Sequence, residues 1–132
     1  MRDIKFRRAF FVDEEKTNFS HYTVWGVNIG DTSFTSPSTN NFAYYHKDFQ
    51  YTGLKDKNGK DIYEGDILQM DVEDCSGKEW KETAQVLWNE DEAAFYSKII
   101  KSKTFRSNSK IGIYPDEQEV IGNIHENPEL IK

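Results

Sequence analysis

What the chain has little of narrows it first. It holds one cysteine, Cys75, so no disulfide can form within it, which fits a reducing compartment and a cytoplasmic location. No apolar run is long enough for a signal peptide or a membrane span, and the expectation is a protein with no membrane association. Helix-favouring residues are scarce: Ala, Leu and Met together number 11, against 17 Ile and Val and eight Thr, a balance that favours strands. His21, His46 and His125 are scattered and Cys75 has no neighbouring ligand in sequence, so no metal is expected. The Gly-Lys steps at 59–60 and 77–78 are not followed by Ser or Thr, which excludes a P-loop. No serine sits in a nucleophile-elbow setting. The expectation is therefore no catalytic residue, no cofactor and no enzyme.

What is present is aromatic and charged. The 132 residues, room for a single domain, include nine Phe, seven Tyr and three Trp, enough to take a chain with 30% charged residues out of the disordered class. Alternation places Ile4, Phe6, Phe10 and Val12 on one face of a first strand over 4–12, interrupted by Arg8. Trp25, Val27 and Ile29 mark a second strand, and the Gly, Ser, Pro, Asn and Thr residues of 30–41 predict a loop. Residues 42–51 fit a strand or a short helix. Asn58-Gly59 predicts a tight type I′ turn, with positive φ at both residues. Leu68, Met70 and Val72 then alternate on one strand and Ala84, Val86 and Trp88 on the next, linked through 75–78 as a hairpin. Residues 89–92 turn the chain into a strand over 93–100, and a last strand spans 119–124 until Pro128 stops it. The fold class this predicts is mainly β, a small antiparallel domain.

Three stretches share the features of one family. Residues 1–7, the long block 50–67 with Tyr51, Gly53, Asn58, Gly59, Tyr63, Gly65 and Asp66, and the block 119–130 with Gly122, Asn123 and Pro128 resemble, in order and spacing, the YopX family of phage and prophage proteins. The resemblance implies a β-rich protein of bacteriophage or prophage origin, acting in the bacterial host cytoplasm, and supplies no catalytic residue to carry over. Each block reads first as architecture: Gly65 suits a turn closed to residues with a Cβ, and Asp66 can accept from nearby amides where the next strand begins. By analogy with entries into small barrels, residues 50–132 are expected to form an SH3-like barrel or meander. Within a single domain over 1–132, residues 1–49 then form an N-terminal β part.

Charge supplies the functional alternatives. The formal net charge is −6, yet Lys98, Lys101, Lys103, Arg106 and Lys110 fall within residues 98–110 with no acid among them, and Arg2, Lys5, Arg7 and Arg8 add a basic start. Such a segment is either a solvated hairpin loop or a phosphate-binding patch. Asp71 and Glu73 share a strand face, with Asp74 on the other side or in the turn, a pattern that fits a solvated strand face better than acid and base catalysis. The primary expectation is a non-enzymatic interaction protein that binds a protein partner or itself, as a homo-oligomer. The alternatives are a nucleic-acid-binding accessory factor using 98–110 and, last, a small hydrolase.

Overall fold

The computed structural model describes residues 4–13, 15, 18–27, 44–102 and 108–131, with backbone alone for Val27 and residues 44–47. The protein is mainly β, with two antiparallel sheets, one of them curled into a half-barrel, and no α-helix among the described residues. It forms two compact units that divide after Gly53.

In the first unit, β1 (Ile4–Phe11) lies between β2 (Phe19–Val27) and β3 (Tyr44–Lys55). Residues 42–51 are thus strand from Tyr44 onward, the outcome that Phe49 and Tyr51 favour by burying their rings on a pleated surface. The first strand differs from a single alternating face. Its pairing shifts register between Phe10 and Phe11 against β2 and between Arg8 and Phe10 against β3, so Ala9, Phe10 and Phe11 are all buried while Val12, beyond the strand, is 60% exposed. A bulge inserts a residue and so breaks the period-2 pattern. Arg8 is tolerated among aromatics because Nε and Nη2 donate to the two carboxylate oxygens of Asp48 at 2.8 and 2.9 Å. Its guanidinium also lies 5.3 Å from the Trp25 ring centroid, and Trp25 stacks on Phe6. The loop expected at 30–41, like Ile29, lies outside the described residues.

β3 continues past Gly53 into the second unit, where it pairs with β4 (Asp61–Tyr63). The chain then runs through β5 (Asp66–Glu73), β6 (Glu79–Asn89), β7 (Ala94–Lys101) and the short β8 (Lys110–Ile111) as a meander. β9 (Gln118–Asn123) returns to the far edge beside β5. Leu68 pairs with Ala84 on one side and Val120 on the other. Ile62, Leu68, Val86 and Val120 form the core cluster, with Phe95 and Ile113 packed on it. Each such aliphatic side chain contributes about 1.5–3 kcal/mol through burial.

Two turns differ from their sequence reading. Gly59 has φ 83°, while Asn58 is not in the positive-φ region, so the turn is not type I′. Gly59 N donates to Asp56 O at 3.0 Å and Asp56 N to Lys60 O at 2.8 Å, the arrangement of a type I turn closed by a left-handed glycine. The last strand ends at Asn123, whose Oδ1 accepts from His125 N and Glu126 N at 3.1 and 2.9 Å; Pro128 instead opens a 3-10 turn over Pro128–Ile131.

Candidate functional site

Two of the family-like blocks, 50–67 and 119–130, meet in the second unit around the buried carboxylates of Asp56 and Asp66. Asp56 is 6% exposed. Its Oδ1 accepts from Asn58 N and Lys60 N, each at 2.9 Å, and its Oδ2 from Val120 N at 2.9 Å. Burial alone would raise its pKa, but the N–H groups of Val120, Lys60 and Asn58 and the charge of Lys60 outweigh it and hold the carboxyl below the usual aspartate range. Asp66, also buried, accepts from Tyr63 N at 2.8 Å through Oδ2, and Gly65 between them has φ 88°. Gly65 N donates to Val86 O, and Ile124 N to Gly65 O, so this one turn is sewn to β6 on one side and to the residue that follows β9 on the other. Gly122 is required for a different reason: a Cβ there would run into the side chain of Asn127. Tyr51, Tyr63 and Asn123 are buried, while Asn58, Gly59 and Pro128 are exposed. Gly53, at φ 89°, stands at the boundary of the two units.

Sequence reasoning missed Asp56. The signal was an internal echo: Asp56-Lys57-Asn58-Gly59-Lys60 and Asp74-Cys75-Ser76-Gly77-Lys78 share an Asp-x-x-Gly-Lys pattern. The second copy closes the same way, with Gly77 N on Asp74 O at 3.1 Å, Asp74 N on Lys78 O at 3.0 Å and Gly77 at φ 86°. The Asp74 carboxyl is lowered by the Ser76 hydroxyl first and then by backbone N–H groups, but it is exposed and ties no second strand. Cys75 is free and exposed in this turn.

The surface with recognisable binding features lies at the β6–β7 end. On β6, Glu82, Ala84, Val86 and Trp88 share a face, and the first three are buried while Trp88 is 41% exposed. Trp88 pairs with Phe95 across the strands, with ring centroids 4.8 Å apart in an edge-on arrangement. The connecting turn presents Glu90, Asp91 and Glu92 to solvent, held by Asn89 Oδ1 accepting from Asp91 N and Glu92 N at 2.9 and 3.2 Å. Lys98 and Lys110 stand directly opposite one another across β7 and β8. Lys110 Nζ is 2.8 Å from a Glu92 carboxylate oxygen and 5.1 Å from the Tyr96 ring centroid. Tyr96 and Lys98 alternate with Phe95 and Ser97, so the basic pair lies on the face opposite Trp88. Lys101 ends β7 opposite Thr83; Lys103 and Arg106 lie outside the described residues.

Behind this surface is a buried polar group. Gln118 Oε1 accepts from Tyr114 N at 2.7 Å and its Nε2 donates to Ser97 Oγ at 3.5 Å. Ser97 Oγ in turn donates to Gly112 O at 2.9 Å. Ser102 Oγ donates to Glu82 at 2.5 Å. These bonds tie the strand ends together. Among the described residues no group of three or more His, Cys, Asp or Glu is placed to hold a metal ion, and no helix is long and apolar enough to cross a membrane.

The model of the family described as YopX protein matches residues 6–132. This chain belongs to the YopX family. Protein EF1440 from Enterococcus faecalis, known from a crystal structure, is similar to this YopX-family chain at 27% identity, over 97% of this chain and 98% of that one, with a TM-score of 0.51. No curated protein matches this chain. Across the whole YopX-type chain, then, the likeness extends to a second protein of nearly the same span.

Proposed function

We propose that this YopX-family chain is a non-enzymatic interaction protein, encoded by a phage or prophage and acting in the bacterial cytoplasm, that binds a protein partner or a second copy of itself. The observation that carries the proposal is Trp88, a large aromatic 41% exposed at the end of a firmly paired strand, backed by Phe95 and rimmed by an exposed acidic turn. Tryptophan is enriched among the few residues that dominate interface energies, because it covers much apolar area with few rotamers to freeze. The carboxylates of Glu90 and Asp91 select a basic rim on the partner and repel phosphate.

The test compares wild type with Trp88→Ala in two measurements, capture of host proteins from nuclease-treated lysate and mass by light scattering behind a sizing column. The variant should remain folded, since Trp88 lies outside the core cluster, and should lose the captured protein or fall to monomer mass. Nuclease-resistant capture and mass both unchanged in a folded variant would refute Trp88 as the anchor. The second reading, a nucleic-acid accessory factor, is favoured by the two lysines placed opposite each other at 98 and 110, an arrangement that costs energy unless an anion relieves it. Glu92 already supplies that relief to Lys110. Capture that nuclease abolishes would establish the second reading instead.

A further inference from the structure

We infer that Asn58 is a spontaneous deamidation site whose rate is governed by the Asp56-held turn. An asparagine followed by glycine has the least steric protection against attack by the next backbone nitrogen, and Asn58 and Gly59 are both exposed. A Cβ on Gly59 would meet nothing within 4 Å, so no side chain shields the pair from water. Only hydrogen bonds hold it.

The chemistry needs no partner beyond water. The Gly59 amide nitrogen gives its proton to hydroxide and attacks Cγ of Asn58, forming a C–N bond. The side-chain nitrogen leaves as ammonia with a proton from solvent, and the resulting succinimide adds water across either carbonyl to open as isoaspartate or aspartate. For the nitrogen to reach Cγ, the peptide between Asn58 and Gly59 must rotate about ψ of Asn58. In the folded turn that rotation is opposed at three points on one residue. Gly59 N–H donates to Asp56 O at 3.0 Å, and Asn58 N–H and Lys60 N–H both donate to Asp56 Oδ1 at 2.9 Å. The first bond also occupies the proton that must be removed. Asp56 is itself anchored to β9 through Val120 N, so the turn opens only when that anchor loosens.

The product would lengthen the backbone by one methylene at position 58 when isoaspartate forms, and would add a negative charge beside Asp56, weakening the link to β9. The sister turn offers an internal contrast, because Ser76 occupies the place equivalent to Asn58 and carries no amide to lose.

The experiment follows deamidation of the peptide containing Asn58 by mass spectrometry, at pH 7.4 and 37 °C. It uses the intact folded chain, the same chain in urea, and the folded variants Asp56→Ala and Asp56→Asn, each checked for folded fraction by circular dichroism. The folded wild type should deamidate at least about tenfold more slowly than the unfolded chain, and whichever Asp56 variant folds should move toward the unfolded rate. Should both variants fail to fold, the wild-type pair decides alone. Equal rates in the folded and unfolded wild type would overturn the inference, as would a folded Asp56→Ala chain that modifies no faster than wild type. Complete stability of Asn58 in the unfolded chain would overturn it too.

Discussion

Gly65 and Asp56 show how single residues in this chain carry long-range consequences. At φ 88°, any side chain at position 65 strains the backbone, and the same residue bonds β6 through Val86 and the end of β9 through Ile124. Gly65→Ala should therefore lower stability by about 1 kcal/mol or more, read as a lower midpoint in thermal melts; an unchanged midpoint would contradict the turn geometry. Asp56 predicts a pH dependence. Its folded pKa lies below that of a free aspartate, about 3.9, so its contribution is complete above that value and is lost as the pH falls through the depressed folded one. Urea titrations from pH 6 downward should show wild type losing stability in that acid window, and Asp56→Asn should lose less there, having given up its contribution already at pH 6. Cys75→Ser, in an exposed turn with no bond to lose, should leave the melting midpoint within the small range of ordinary surface substitutions.

The strands β5 and β6 were legible because much of each alternates, although Ile67 and Thr83 are buried beside Leu68 and Ala84 where the pairing with β9 and β7 shifts register. Leu68 with Ala84 and Val86 is a period-2 pattern that survives into the structure, and the hairpin between β5 and β6 keeps an unbroken register from Ile67 opposite Gln85 to Glu73 opposite Glu79. Leu68→Ala should cost about 2–5 kcal/mol, since it empties a fully buried position touching two neighbouring strands. Guanidinium unfolding would measure it. β1 was legible as a strand but not as a surface, because two register shifts within it move consecutive residues into the interior, and a bulge leaves no mark in composition. The Asn58-Gly59 turn was legible in place and wrong in type: both turn families accept Asn-Gly, and what selects between them is the Asp56 side chain, two residues before the pair. The interaction surface was less legible still. Trp88 continues the buried face of β6, and its place at the end of the strand, not its residue type, separates an exposed anchor from a core residue.

At the scale of the molecule, an acidic turn ends β6 and a basic pair lies on the opposite face of β7, with the Lys110–Glu92 ion pair between them. On the proposed function, wild type shows no salt-dependent binding to mixed-sequence duplex DNA, because the net charge of −6 opposes non-specific attraction. The triple change of Lys101, Lys103 and Arg106 to Ala should then alter nothing in that assay. Binding by wild type with a log–log salt slope that shrinks by up to about 2.7 in the triple variant would move the function to nucleic acid. The bond from Val120 N to Asp56 has one more consequence, for the order in which the protein is made. It joins residues 64 apart in sequence, and the same strand supplies the last wall of the core around Leu68. Residues 54–117 therefore emerge from the ribosome with an open sheet edge and an unclosed apolar cluster. The second unit can close only when the β9 segment has been synthesised, and the growing chain is most open to chaperones just before that point.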